Sequence, residues 1–281
     1  MASSNNYHVR SASYPPKSNP ILQKIDDELM KLRKSEASTS SVSETMVVGL
    51  TGLARLYKCV DDVLRMPLLA QPTLHAKPAN HFNPIVEGSL KLLEICNASQ
   101  QCLVRLLEAV RASLRCSNSS EARGEISRYF CLRKEITKIA KGLVLELRQI
   151  EGSLVSEKRE LISEEFEVIS VLRCVSIINI SVLESFLSFL IVSSKGKFGL
   201  ISKLVAKMSV ISEEKLCEKG NELSNVDVVL HAFDGERCDY DVVKKRLQVL
   251  EVSLRGIEDG LNNICKQLTR TRASLINIIS V

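Results

Sequence analysis

Near the end of the chain, ten positions follow one another at strictly alternating steps of three and four residues. They are Leu247, Leu250, Leu254, Ile257, Leu261, Ile264, Leu268, Thr271, Leu275 and Ile278. Only Thr271 is not apolar. Such steps average 3.5 residues, the repeat that keeps one stripe of a helix facing a partner. The pattern predicts a helix over 240–279, about 60 Å long at 1.5 Å per residue. A stripe of that length must be covered. The chain supplies its own partner helices, so an intramolecular antiparallel bundle is expected, with homo-oligomerisation through the heptad helices as the alternative.

The same reading upstream gives more helices. Ser18 or Asn19 serves as a cap and Pro20 takes the first helical position; Ile21, Ile25, Leu29 and Leu32 then share a face. Met46, Leu50, Leu53, Tyr57, Val60 and Leu64 form a second seam, which ends where the residue before Pro67 leaves the helical region. A third helix uses Ile85, Leu92, Cys96, Leu103, Leu107, Val110 and Leu114. A fourth uses Ile126, Tyr129, Ile136, Ala140, Leu143, Leu147 and Ile150. A fifth runs over about 157–192, and an amphipathic segment follows at 200–211. Loops are expected at about 35–44, 66–84, 115–121, 193–199 and 234–239.

Proline supports this division. All seven prolines lie before residue 85. Each would cost about 3 kcal/mol inside a helix, so their absence from 85–281 permits long helices. Residues 20–281 read as a single all-α domain, and residues 1–19 as a disordered basic Ser/Pro tail.

The run over 168–192 has the length of a bilayer span, and 17 of its 25 residues are apolar. Arg173, Asn179 and Glu184 interrupt it, leaving no charge-free stretch longer than the ten residues from Cys174 to Leu183. A charge at mid-membrane costs about 2.5–3.5 kcal/mol even on the most permissive scale. The central helix of a bundle, apolar nearly all round, is the preferred reading.

Composition adds little chemistry. The net charge is +5 and aromatics are 4% with no Trp, a poor match to a nucleic-acid binder. Nine scattered cysteines with no C-x-x-C pair and no apolar leader in residues 1–20 point to a reducing, intracellular setting. The cytoplasm is the expected location, with plastid or membrane association as alternatives and secretion excluded. No phosphate-binding glycine motif occurs. The four histidines lack metal-ligand spacing, so no cofactor, metal or catalytic residue is assigned.

Three stretches remain as candidate contacts. In the tail, Arg10, Ser11, Ser13 and Pro15 read as a docking peptide or kinase site, with Arg10 three residues before Ser13, and an idle disordered end is the alternative. Asp61 and Asp62 read as a solvated pair beside Arg65, with a basic partner as the alternative. On the fourth helix, Arg128, Arg133, Lys134, Lys138 and Lys141 make a basic face that reads as the solvated side of the bundle, with contact to an anionic surface, a membrane included, as the alternative.

Six stretches in order resemble a known family. They are YHVRSASYPPKSNP (7–20), GLARLYKCVDDVLRMPLLAQ followed by Pro72, EGSLKLLEICN (87–97), RYFCLRKEITKIAKG (128–142), LESFLSFL (183–190) and LEVSLRGIEDGLNNICKQLTRTRASLINIIS (250–280). The chain resembles the plant-specific domain of unknown function 241 group, the BYPASS-type proteins. Asn19 stands where that group usually carries His, and Val63 and Met66 replace leucines. The resemblance implies an all-helical protein without established enzymatic activity, associated with root and shoot development. It points to a non-enzymatic protein-interaction role with protein partners, and it brings no catalytic residues. Membrane attachment through the basic fourth helix or the 168–192 run is the alternative.

Overall fold

The structure, a computed structural model, describes residues 20–36, 41–65, 79–156, 164–191, 222–234 and 239–280. Those residues form seven helices and no strand: α1 (Pro20–Glu36), α2 (Val42–Leu64), α3 (Ala79–Leu114), α4 (Ser119–Ser156), α5 (Glu164–Ile191), α6 (Glu222–Asp234) and α7 (Tyr240–Ser280). The seams read from spacing are the faces that meet. All six seam residues of α2 are buried, and so is every α7 position from Leu247 to Leu275, Thr271 included. Ile278 is half-buried, where the stripe runs out.

Two helix starts follow directly from local sequence. Ser41 precedes α2 and its hydroxyl accepts from the Glu44 amide at 3.1 Å. Asn118 precedes α4; its side chain accepts from the Glu121 amide at 2.9 Å, and Glu121 accepts in return from the Ser117 amide at 3.0 Å. Each device satisfies amides that the first helical turn leaves without a partner.

Most neighbouring helices run antiparallel. Arg55–Glu28 ties α2 to α1, Arg105–Glu135 ties α3 to α4, and Arg148–Glu184 ties α4 to α5. Along α3 and α7, Tyr240 meets the carbonyl of Ser113 near one end and Arg272 that of Val86 near the other. The α2–α7 pair runs parallel: Ser43 meets Ser253 and Asp61 meets Thr271, a constant separation of 210 residues. The backbones of α2 and α7 approach closely because Gly256 and Gly260 face α2. A Cβ at Gly256 would lie 3.2 Å from Val47, and one at Gly260 2.9 Å from the Leu50 Cβ.

Helix α5 packs against α2, α3 and α4. Residues Val168–Ile191 have a mean hydropathy of 2.0 and are half buried. Leu183, Phe186, Leu187 and Leu190 face inward, while Ser170, Ser181, Ser185 and Ser188 face out. The helix expected at the centre of the bundle thus packs on three neighbours and leaves a serine-lined side exposed.

The elements depart from the sequence reading in several places. Helix α3 starts at Ala79, inside the expected proline loop, and accommodates Pro84 in its second turn. Helix α4 begins at Ser119, inside the expected 115–121 loop. Helix α6 was not anticipated, because its 13 residues carry no long seam. The tail, most of the proline loop, the 193–199 break and the 200–211 segment lie outside the described residues.

Candidate functional site

Helix α6 closes one end of the bundle through two acids. Glu222 accepts from the backbone amide and the hydroxyl of Ser43, at 3.2 and 2.7 Å, at the start of α2. Negative charge is favourable there, against the positive end of the helix dipole. One turn further on, Asp227 enters the core and is 5% exposed. It accepts from the Tyr129 hydroxyl at 2.8 Å and from Arg133 Nη2 at 3.1 Å. Arg133 spends Nη1 on the carbonyl of Leu190, at 2.8 Å in the last turn of α5. A single guanidinium thus joins α4, α5 and α6. Beside it, the His231 ring stacks on Phe130 with centroids 3.9 Å apart. Burial, and then the negative charge of Asp227, push the Tyr129 hydroxyl well above the ordinary tyrosine range.

Two further polar pairs sit within the bundle. Thr271 donates to Asp61 at 2.9 Å, and Asn179 donates to the Tyr57 hydroxyl at 2.7 Å. Burial also pushes the Tyr57 hydroxyl up, against the opposing hydrogen bond from Asn179. Tyr57, Ser89, Ser176 and Thr271 help to line an internal cavity of about 20 Å³, enough for one water.

Two charged residues expected on the surface are therefore internal. Arg133 is 5% exposed and belongs to the seam rather than to the basic face. Its position gives the reason: from Tyr129 to Ile136 the apolar seam jumps seven residues, and Arg133 is the missing step of four. Asp61 is 8% exposed and engaged by Thr271, so it is not a solvated neighbour of Arg65; Asp62 is exposed. Arg10, Ser11, Ser13 and Pro15 lie outside the described residues. Sequence reasoning missed Asp227 altogether. The available signal was an acid set among Val226, Val228, Val229 and Leu230.

What remains of the basic face is a ridge. Lys134, Lys138 and Lys141 are exposed at steps of four and three, and Leu145, four residues on, is 60% exposed. No ion pair among the described residues engages these three lysines. Glu135, beside them, is taken up by Arg105 of α3 through two hydrogen bonds at 2.7 and 2.8 Å, which hold its carboxyl below the usual range. Arg128 pairs with Glu125. The ridge thus presents three lysine charges and an apolar residue over about 17 Å of helix at 1.5 Å per residue.

Other features offer less. An open groove of about 460 Å³ at the α3–α4 turn is lined by Arg115, Cys116, Glu121, Glu125 and Arg128 among others. Its charges are mixed, and Arg128 pairs with Glu125 across it. Among the described residues, no group of three or more His, Cys, Asp or Glu side chains lies close enough to hold a metal ion.

Residues 49–278 match the family model described as Protein BPS1, over more than half of the chain and from within α2 almost to the end of α7. The chain belongs to this family, the BYPASS-type proteins. The matched region contains the Tyr129–Arg133–Asp227 cluster, the Asp61–Thr271 pair and the lysine ridge of this BPS1-family chain. The tail with Arg10, Ser11, Ser13 and Pro15 precedes it. Comparison with curated proteins and with solved structures gives no match.

Proposed function

We propose that this BYPASS-type chain is a non-enzymatic interaction protein of plant development, acting inside the cell, whose lysine ridge on α4 holds an acidic protein partner. One observation carries the reading: Lys134, Lys138, Lys141 and Leu145 share one exposed stripe, with the adjacent acid withdrawn by Arg105. Solvated lysines are free to pair, and an exposed leucine adds apolar area at the same spot. The deeper polar groups are spent on holding helices together, which suits a scaffold better than a reaction centre. The tail, with Arg10, Ser11, Ser13 and Pro15, is a second contact in this proposal.

The test is proximity labelling in root cells with the full chain, the K134E/K138E/K141E variant and a chain lacking residues 1–19. Reversal of the ridge is expected to remove most labelled partners while circular dichroism and Tm stay unchanged. An unchanged partner set from a folded triple variant would overturn the ridge as the contact.

A membrane reading has one observation in its favour, the hydropathy of 2.0 over Val168–Ile191. Against it, Leu183, Phe186, Leu187 and Leu190 are taken up by the bundle, and Glu184 pairs with Arg148. Recovery of the chain wholly in the soluble fraction at low salt would end that reading.

A further inference from the structure

Cys96 of α3 and Cys265 of α7 face each other with their sulfurs 2.7 Å apart. They are 169 residues apart in sequence. Cys96 is fully buried within the core, and Cys265 is half-buried with access to solvent. One turn along, Gln100 of α3 donates to Asn262 of α7, so the antiparallel register that aligns the sulfurs is held by a second bond. Further out, Arg111–Glu251 and Arg272 with the Val86 carbonyl hold the same two helices together.

We propose that Cys96 and Cys265 are a reversible redox modification site, at which hydrogen peroxide couples the two thiols into a disulfide tying α3 to α7. A disulfide bond is 2.03–2.05 Å long, so the sulfurs need to close by only about 0.7 Å.

The step balances. The Cys265 sulfur, as thiolate, attacks one peroxide oxygen; the O–O bond breaks and hydroxide leaves, taking up the Cys265 proton as water. Cys265 is then a sulfenic acid. The Cys96 sulfur attacks the Cys265 sulfur, the S–O bond breaks, and a second water leaves with the Cys96 proton. Two thiols lose two electrons, and one peroxide gains two. A dithiol reductant reverses the bond by exchange.

The roles of the two sulfurs follow from their surroundings. The hydrogen bond from Cys96 holds the Cys265 thiol below its usual range, and the thiolate is the nucleophile. The same bond and burial push the Cys96 thiol up, which suits the resolving partner. Cys265 is also the one with access to solvent, so oxidant reaches the right sulfur first.

The test uses the full chain. It is treated with hydrogen peroxide, free thiols are blocked with N-ethylmaleimide in denaturant, and the unreduced tryptic digest is examined by mass spectrometry. The expected product joins the peptide 92–105, with one maleimide on Cys102, to the peptide 256–266, two hydrogens lighter than the sum of those two parts. Fragmentation should place the bond on Cys96 rather than Cys102, and dithiothreitol should abolish it. The oxidised chain should melt about 5–10 °C higher than the reduced one. C265S should show neither change, and C131S should show both. If Cys96 and Cys265 both carry maleimide after a treatment that has already oxidised the exposed Cys131, the proposal is overturned. A disulfide joining Cys265 to any other cysteine overturns it too.

Discussion

Asp227 shows what one buried charge does in this protein. It is an acid in the core, and its cost is offset only because Tyr129 and Arg133 donate to it. Arg133 depends on it equally, since the Leu190 carbonyl carries no full charge. Removing one member should therefore cost far more than the pair is worth. Asp227→Ala is expected to lose about 3–5 kcal/mol in urea unfolding, because it leaves the Arg133 charge buried alone. The double variant Arg133→Met/Asp227→Leu should regain most of that loss. A loss below about 1 kcal/mol for Asp227→Ala would mean that water reaches Arg133. The same logic applies on a smaller scale to Thr271. Thr271→Val keeps the shape and removes the donor to Asp61, at an expected cost of about 1–3 kcal/mol. Thr271→Ser should retain most of the bond.

At the scale of helices, the parallel α2–α7 pair rests on missing side chains. Gly256 and Gly260 are one turn apart on the α7 face that meets Val47 and Leu50. Gly260→Ala gains about 1 kcal/mol of helix propensity but overpacks against the Leu50 Cβ, a change that typically costs about 1–3 kcal/mol. That atom is fixed to the backbone and cannot swing aside, so the loss should prevail by about 1 kcal/mol. Gly142 on α4 is the control, because a Cβ there meets nothing within 4 Å. Gly142→Ala should stabilise by about 0.5–1 kcal/mol. If urea midpoints for both variants move up together, the close approach of α2 and α7 is wrong.

For the molecule as a whole, the buried hydroxyls and paired carboxylates set the pH window of stability. Tyr57 and Tyr129 hold their protons more tightly when folded than when unfolded. Their folded values are raised, so the neutral bundle keeps full stability below the unfolded tyrosine value of about 10 and loses it as the pH climbs beyond. Tyrosinate absorbance in an alkaline titration should rise in two stages, with these two rings ionising only as the helices melt. At the other end, the hydrogen bond from Arg111 holds Glu251 below the usual glutamate range, and that from Lys31 does the same for Glu28. Depressed carboxylates stabilise the fold above the unfolded value of about 4.3, and that contribution is lost as the pH falls through their folded values. The Tm should therefore be flat near neutrality and decline from about pH 4 downward. Salt should reduce the acid-side decline more than the alkaline one, because the carboxylate pairs are partly exposed and the tyrosines are not.

The spacing of apolar residues determined, without any structure, that this chain is all helical, and it identified the stripes of α2, α3, α4 and α7 that would be covered. Burial recurs with the helical period, so it leaves a local record. Ser41 with Glu44 and Asn118 with Glu121 are equally local, because a cap and the amide it serves are three residues apart. The sequence even marked Thr271 as the one exception in the long seam. It could not say why, since the answer is Asp61, 210 residues away. Only tertiary structure decided that α2 and α7 run parallel, that Arg133 and Asp61 turn inward, and that α6 exists to receive Arg133. A charged residue is buried or solvated according to whether a partner stands opposite, and the partner for Arg133 lies 94 residues off on a helix with no seam of its own. The facing of Cys96 and Cys265 belongs to the same class: each reads locally as a small apolar residue, and a pair exists only where two helices bring the sulfurs together.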